Sequence, residues 1–150
     1  DLILGFSDIQ KDLARELIGR GQNVFVTNQR TFTEIFDYIQ MLSRLVGAEA
    51  RGVNLVNSYK QKLDQFLERS SQKSYRPKVY FEEWDEPKIS AIQWVNELIY
   101  ASGGEPLFAE HKGVTASERF VSDEEIIQRD PDVIFGCWCG KKVKLDQFYH

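Results

Sequence analysis

The sequence predicts an α/β fold in which a long helix joins two units. A strand, helix and strand pattern fills the first 28 residues, a long amphipathic stretch occupies residues 49–72, and further strand and helix patterns follow residue 77. An internal repeat supports two related units, because Asp, three apolar residues and Gly occur in that order at 1–5 and at 132–136. The chain opens directly in the first copy and runs out soon after the second, so we expect both units to be incomplete.

The first unit begins with a parallel crossover pattern. Leu2–Phe6 is apolar and Asn23–Asn28 is rich in β-branched and aromatic residues, so both are predicted as buried strands. The stretch between them is predicted as a helix that starts with a capping box of Ser7 and Gln10 and ends near Gly21. A strand, a helix and a second strand in this order predict a parallel pair.

The middle of the chain is predicted to be helical. A helix opens at Thr31 with Glu34 completing a capping box, and Gly47 marks a bend. Beyond Gly47, helical spacing is kept by Val53, Val56, Tyr59, Leu63, Phe66 and Leu67. At ~1.5 Å per residue, a helix over 49–72 is roughly 36 Å long. We therefore predict part of a first lobe at 1–48, a bridging helix at 49–72, and part of a second lobe at 73–150.

The second unit follows a polar boundary at Ser70–Pro77. Its predicted elements are a strand at Lys78–Trp84, a helix at Ile89–Ala101, a helix at Ser122–Arg129 capped by Ser122 and Glu125, and a strand at Asp132–Cys139.

The charge distribution and the two cysteines limit the kinds of partner that we expect for this protein. Acidic and basic residues are interspersed at a formal net charge of −4, which argues against a nucleic-acid partner. Cys137 and Cys139 are too close for an unstrained bridge. They could hold a soft metal only if His111 or His150 lay beside them, so we expect free thiols and no metal.

Several segments carry a family resemblance through their order and spacing. They are Asp1–Gly5, Asn23–Val26, Tyr80–Asp85, Gly103–Gly104, Phe120–Ile126, Asp130–Ile134 and Trp138–Lys141. This pattern resembles the helix-bridged solute-binding proteins of ABC importers, especially the corrinoid (cobalamin) and iron-siderophore group. The resemblance implies two Rossmann-like lobes in the class III arrangement, a ligand captured between them, and delivery to a permease. It also implies an extracytoplasmic protein without a resident cofactor, whose membrane contact is made only through the permease or through a lipid anchor outside this chain.

Candidate ligand contacts follow from the rule that open parallel sheets bind ligands beyond the carboxyl ends of their strands. The side chains at those ends are Phe6, Ser7 and Asp8 in the first lobe and Glu83, Trp84, Asp85 and Trp138 in the second. Aromatic rings supply flat apolar area for a macrocycle, while polar groups orient its edges. Trp84 and Trp138 would each also suit a core, whereas Trp94 is predicted to pack on the sheet. The loop His111–Arg119 should border the cleft.

Permease docking is the second role that the resemblance implies. Family members dock through an acidic residue at the tip of each lobe, and Glu124 matches the second-lobe position, while its counterpart in the first lobe would precede residue 1. The neighbouring Glu125 is predicted to cap its helix instead.

Two other classes of function remain open. An α/β enzyme on a related scaffold is one, although the sequence lacks a glycine-rich phosphate loop, a nucleophile elbow and a histidine paired with an evident base. A partner-binding module without a small ligand is the other. Within the importer class the ligand is a corrinoid, a ferric siderophore or heme, and the lack of an evident arginine or tyrosine set favours the corrinoid.

Overall fold

The computed structural model describes residues 1–144 and begins with a two-stranded parallel sheet. Strands β1 (Ile3–Phe6) and β2 (Val24–Thr27) pair in parallel, with a 3-10 turn at Asp8–Gln10 and helix α1 (Lys11–Gly19) between them. The predicted parallel crossover is therefore confirmed, but the prediction that both strands are buried is wrong, because Leu2, Leu4, Phe6 and Val26 are exposed.

The start of the first helix differs from the prediction. The Ser7 hydroxyl accepts from the Ile9 N–H at 3.5 Å, while the Gln10 side chain accepts from the Phe6 N–H at 2.8 Å. Ser7 has a φ of 74°, which lies in the left-handed region. The expected capping box is wrong, because the chain turns sharply here and the helix begins only at Lys11.

The middle of the chain forms two helices, α2 (Phe32–Leu45) and α3 (Glu49–Ser71). The predicted capping box at Thr31 and Glu34 is present. The bend expected at Gly47 is instead a reversal, because Gly47 adopts a φ of 69° and α3 returns along α2.

The pairing of α2 with α3 shows that they run antiparallel. Gly52, near the start of α3, lies against Ser43, and the Lys60 ammonium lies 5.7 Å from the Phe36 ring centre. Residues later in α3 therefore meet residues earlier in α2. The two helices approach closely because Gly52 has no side chain.

The buried face of α3 is narrower than predicted. It is formed by Gly52, Val56, Leu63, Leu67 and Ser70, of which Leu63 and Leu67 are half-buried. Val53, Tyr59 and Phe66 are exposed, which corrects their assignment to the packed stripe. In the described chain, α3 is flanked by α2 near its start and by α4 (Gln93–Ala101) near its end, so little else covers its sides.

The contact at Gly52 predicts the effect of adding one methyl group. A Cβ on Gly52 would lie 2.1 Å from the Ser43 Oγ and 2.4 Å from its Cβ. We expect Gly52→Ala to lower the free energy of unfolding by about 1–2 kcal/mol, although alanine favours helix, because overpacking outweighs propensity. Urea unfolding measures the change.

Two further variants control this prediction. Gly19→Ala, near the end of α1, has no heavy atom within 4 Å of the added Cβ, so it should be neutral or stabilising by about 0.5 kcal/mol. Adding Ser43→Gly to Gly52→Ala should recover part of the loss. Equal stability of Gly52→Ala and the unsubstituted protein would contradict the close approach of the helices.

The second sheet is organised around β3 (Lys78–Asp85). Strands β5 (Glu105–Pro106) and β6 (Val133–Gly136) pair with β3 in parallel, and β4 (Lys88–Ser90) pairs with it in antiparallel. A 3-10 turn at Ala116–Arg119 and helix α5 (Asp123–Arg129) lie between β5 and β6.

Two predicted elements of this unit need correction. The helix expected from Ile89 begins at Gln93, because Lys88–Ser90 is the return strand of a hairpin with β3. The strand expected to reach Cys139 ends at Gly136.

Two buried clusters pack this unit. One contains Tyr80, Leu107, Phe108, Val121 and Ile126. The other contains Ala91, Ile92 and Val95, and Trp94 packs against it as predicted. None of the described helices combines the length and apolarity needed to cross a bilayer.

Candidate functional site

A cavity of about 630 Å³ lies where the end of β1 faces the end of β3. Phe6, Ser7 and Asp8 line it from the first unit, and Glu83 and Trp84 line it from the second. The cavity is therefore at the carboxyl ends of strands from both sheets, where open parallel sheets bind ligands. Ala116 and Arg119, from the loop predicted to border a cleft, also line it.

The structure places three of the five predicted ligand residues at this cavity. They are Ser7, Glu83 and Trp84. Ser7 is buried and donates to the Asp8 carboxylate at 2.8 Å. The Trp84 indole N–H donates to the Glu86 carbonyl at 3.0 Å, which restrains the ring at the cavity wall.

The other two predicted residues, Asp85 and Trp138, do not line the cavity. Trp138 is 5% exposed, and its indole N–H donates to Glu82 at 2.8 Å. The Asp85 carboxylate accepts a hydrogen bond from Lys141, and this bond holds the pKa of Asp85 below its usual value. The structure therefore does not bring these two residues together with the other three at the cavity, because each side chain is engaged within the protein.

Lys141 contacts Asp85 and Trp138 and also the Trp84 ring at the cavity wall. Its ammonium lies 4.1 Å from the Trp84 ring centre and 5.1 Å from the Trp138 ring centre while it bonds Asp85. Cations over indole faces attract the ring electrons, so this contact adds to the restraint on Trp84. We name Trp84, Asp85, Trp138 and Lys141 the indole clamp.

Arg119 is the most buried charge of the site. Only 3% of it is exposed, and it donates to both Glu83 carboxylate oxygens, at 2.5 and 3.2 Å. It also donates to the Ser90 carbonyl at 2.5 Å. Its Nε is buried and has no hydrogen-bond partner among the described residues. The ion pair thus neutralises the Glu83 charge, and one buried donor of the guanidinium is left unsatisfied.

Arg30 is a second arginine of the cavity. It pairs with Asp8 at 3.6 Å and donates to the Val114 carbonyl, so it joins the first unit to a loop of the second. Its Nε is likewise buried without a partner among the described residues. Nearby, the Phe32 N–H donates to Glu97 at 2.8 Å and adds another bond between the units.

The cavity contains a pair of arginines, although no arginine set was evident in the sequence. Both line the cavity, although they are 89 positions apart in sequence. The only signal available for Arg119 was its place at the end of a loop already predicted to border the cleft. No local pattern marked Arg30, because its cavity position depends on the folding of the second unit against the first.

A buried acidic network lies behind the indole clamp. Glu82 is fully buried and accepts from Trp138 and, at 3.2 Å, from the Tyr80 hydroxyl. Burial raises the pKa of Glu82, and the bonds from Trp138 and Tyr80 oppose that rise. Burial and the nearby Glu82 charge raise the pKa of Tyr80, so its hydroxyl remains a donor.

The raised pKa of Glu82 predicts a pH-dependent effect of Glu82→Gln. Below the unfolded-state pKa of about 4.3, the Glu82 carboxyl is protonated in both the folded and the unfolded protein. Above it, the carboxyl ionises readily in the unfolded protein, whereas ionisation in the folded protein costs free energy because the carboxyl is buried. Stability therefore falls as pH rises through the window up to the folded pKa. We expect the unfolding free energy of Glu82→Gln, relative to the unsubstituted protein, to improve from pH 4 to pH 7 in urea titrations.

Glu34→Gln is the matched control for this pH effect. The bond from the Arg30 backbone N–H lowers the pKa of Glu34, so its stabilising effect is present above the unfolded pKa and is lost as pH falls through the folded one. Its variant should lose relative stability from pH 4 to pH 7. The same trend in both variants would contradict the assigned directions.

The cysteines and histidines form no metal centre in the described part of the chain. Cys137 and Cys139 are free and exposed, and Cys139 lines the cavity. Across residues 1–144, no group of three or more His, Cys, Asp or Glu side chains could hold a metal ion. His150, the other histidine predicted as a possible metal ligand, lies outside the described residues.

Glu124 lies exposed in the first turn of α5. The capping box predicted beside it is present, because the Glu125 N–H donates to the Ser122 hydroxyl at 3.2 Å and the Ser122 N–H donates to Glu125 at 2.8 Å. The cap therefore engages Glu125 and leaves the adjacent acidic side chain at the surface.

Two α/β units, a long helix between them in sequence and a shared cavity at strand ends define the architecture of a two-lobed binding protein. The family model described as periplasmic binding protein matches residues 1–149, and the chain belongs to this family. No curated protein matches the chain in sequence.

Solved structures share the fold at low identity. A possible iron-binding periplasmic solute-binding protein from Staphylococcus epidermidis matches 97% of this chain and 57% of its own, at 23% identity and a TM-score of 0.72. The match to IsdE of S. aureus complexed with heme covers 97% of this chain and 57% of IsdE, at 14% identity and a TM-score of 0.75. The match to the vitamin B12 binding protein BtuF of Vibrio cholerae covers 91% of this chain and 53% of BtuF, at 22% identity and a TM-score of 0.65. The chain thus spans a little over half the length of these proteins.

Proposed function

We propose that this chain is part of the substrate-binding component of an ABC importer and that its cavity captures a corrinoid. The observation that carries the proposal is the cavity between the units, which combines the restrained Trp84 indole with the side chains of Arg30 and Arg119. The indole offers flat apolar area to a macrocycle, and the guanidinium groups can donate to the amide carbonyls around a corrin ring. Membership of the periplasmic binding protein family supports this role over an enzyme.

Of the five predicted ligand residues, two are proposed to contact the ligand and three to hold other side chains of the site in place. Trp84 and Ser7 contact the ligand, whereas Glu83 holds the Arg119 guanidinium in place. Asp85 and Trp138 act through Lys141, which restrains Trp84.

Heme or a ferric siderophore is the second candidate ligand, because the two arginines that line the cavity would also suit an anionic ligand. Guanidinium groups such as those of Arg30 and Arg119 bind the carboxylates of heme or the anionic oxygens of a siderophore well. The structures of similar fold include proteins whose descriptions name iron, heme and vitamin B12.

Delivery to a permease is assigned to the exposed acidic tip at Glu124. An exposed carboxylate there can pair with arginines of a permease without losing a role in the α5 cap, which Glu125 fills. The protein would act outside the cytoplasm, either in the periplasm or anchored at the cell surface by a lipid.

Ligand titration of the full-length protein tests the proposal. Aquocobalamin, a ferric hydroxamate siderophore and heme are each added while tryptophan fluorescence is followed, with free tryptophan as the control for inner-filter loss. We expect saturable quenching by the corrinoid. Dissociation constants above about 10 µM for all three, weaker than roughly −7 kcal/mol, would overturn the importer function and favour a partner-binding module.

A further inference from the structure

The short loop before α2 separates two cavities. The Arg30 side chain lines the cavity at the strand ends. Phe32, two residues later, lines a second cavity of about 610 Å³ among α2, α3 and α4, which we name the rear cavity. Glu97 of α4 lines the rear cavity and does not line the first one. A residue outside the binding cavity therefore lies beside the chain that carries one of its arginines.

Glu97 bonds the backbone of this loop across the two units. Its carboxylate accepts from the Phe32 N–H at 2.8 Å. Phe32 is the first residue of α2, and its N–H is one of those that a helix leaves without an intrahelical partner. A carboxylate is favoured here by the positive end of the helix and by the strength of a charge-assisted hydrogen bond. The second unit thus supplies an acceptor to a helix start of the first unit.

The two preceding N–H groups are bonded within the first unit. Glu34 accepts from the Arg30 N–H at 2.6 Å and from the Thr31 N–H at 3.0 Å. These two bonds fix the loop to α2, but they do not fix it to the second unit. Because Arg30, Thr31 and Phe32 are consecutive, the bond from Phe32 to Glu97 sets where the Arg30 side chain leaves the backbone relative to the second unit.

Glu97 has a more rigid support than the partner that Arg30 itself finds in the second unit. Arg30 donates to the Val114 carbonyl, but Val114 is exposed and belongs to no helix or strand. Glu97 is half-buried on α4, whose Val95 belongs to a buried cluster. The Gln93 amide, one turn earlier on α4, donates to the second carboxylate oxygen of Glu97 at 3.3 Å. A side chain held on a packed helix and by a further hydrogen bond positions its neighbour more precisely than a loop does.

We infer that Glu97 is a positioning residue of the binding cavity, which holds the start of α2 against the second unit and so keeps Arg30 at the cavity wall. This inference rests on the proposed function, in which Arg30 donates to the ligand. Glu97 acts from the rear cavity and touches no ligand. Without its carboxylate the loop is free to shift, Arg30 is less often in the geometry that binding needs, and affinity falls.

A cycle of single and double variants of the full-length protein tests the inference. Glu97→Met keeps most of the bulk of the side chain but removes the carboxylate, whereas Glu97→Gln keeps an oxygen that can accept from the Phe32 N–H. Arg30→Met removes the guanidinium, alone and together with Glu97→Met. Gln93→Ala is the matched control, because Gln93 lies on the same helix and lines the same rear cavity but bonds the other Glu97 oxygen.

Each protein is titrated with aquocobalamin, a ferric hydroxamate siderophore and heme while tryptophan fluorescence is followed, and urea unfolding confirms that it is folded. For the ligand that binds, we expect Arg30→Met to weaken affinity about tenfold and Glu97→Met about fivefold. Glu97→Gln and Gln93→Ala should each change it less than about twofold. The double variant should bind no more weakly than Arg30→Met alone, because Glu97 acts through Arg30.

A purely structural role of Glu97 would lower the free energy of unfolding and leave the dissociation constants unchanged. Unchanged affinity in Glu97→Met, unchanged affinity in Arg30→Met, or additive losses in the double variant would each overturn the positioning role and leave the proposed function standing. Glu97→Ala replaces Glu97→Met in the cycle if the methionine variant does not fold. Failure of the unsubstituted protein to bind any of the three ligands overturns both.

Discussion

Arg119→Met is expected to lower the free energy of unfolding by about 3 kcal/mol. Removing one partner of a buried ion pair leaves the other charge without compensation, which typically costs about 3–5 kcal/mol. We expect the lower end of this range of energies because the Glu83 side chain is 34% exposed and water can partly solvate it. The Ser90 carbonyl also loses its Arg119 donor. Urea unfolding at neutral pH measures the loss.

Two further variants test whether this loss comes from the unpaired buried charge. Arg20→Met removes an exposed pair with Glu16, in which the two side chains are 71% and 57% exposed, so it should cost less than about 0.5 kcal/mol. Adding Glu83→Met to Arg119→Met should recover much of the stability, because no unpaired charge remains. A loss below about 1 kcal/mol in Arg119→Met would contradict a buried, structurally required guanidinium.

The parts of the fold that the sequence predicted well are those determined by local chemistry. The capping boxes at Thr31 and Ser122 were found because a hydroxyl and a carboxylate three residues apart satisfy free N–H groups at a helix start wherever the helix packs. The first parallel pair followed from apolar runs separated by a helix. The same type of signal failed at Ser7, because a hydroxyl followed by glutamine also fits a turn.

Errors arose where tertiary pairing decides between local alternatives. Lys88–Ser90 continues without a break into an apolar helix pattern, and only its pairing with β3 makes it a strand. The glycine at 47 was consistent with either a bend or a reversal, and the contact of Gly52 with Ser43 selects the reversal. Short apolar runs and single glycines do not carry this information.

The cavity was predicted from strand ends more accurately than from side-chain chemistry. Strand topology placed Ser7, Glu83 and Trp84 at the shared edge, because the carboxyl ends of parallel strands meet there. The engagement of Asp85 by Lys141 and of Trp138 by Glu82 could not be predicted, since each bond joins residues 56 positions apart.

Trp84→Ala is expected to weaken macrocycle binding at least about 30-fold, or 2 kcal/mol. The Trp84 ring is the larger of two aromatic rings that line the cavity from the second unit, the other being Phe120, and truncation of such a residue typically costs at least that much. Truncation also removes the face over which Lys141 lies. Titration with aquocobalamin and heme, followed by absorption, measures the change without relying on the lost fluorophore.

Conservative replacements separate the loss of a contact from the loss of a tryptophan. Trp84→Phe keeps an aromatic face and should weaken binding less than Trp84→Ala, by about 3- to 10-fold. Trp94→Phe is the matched control, because Trp94 packs on the Ala91, Ile92 and Val95 cluster and does not line the cavity. It should leave the dissociation constant unchanged while reducing total fluorescence. Equal affinities for Trp84→Ala and Trp94→Phe would show that the ligand does not contact the indole clamp, and the cavity would then have to bind through its arginine donors.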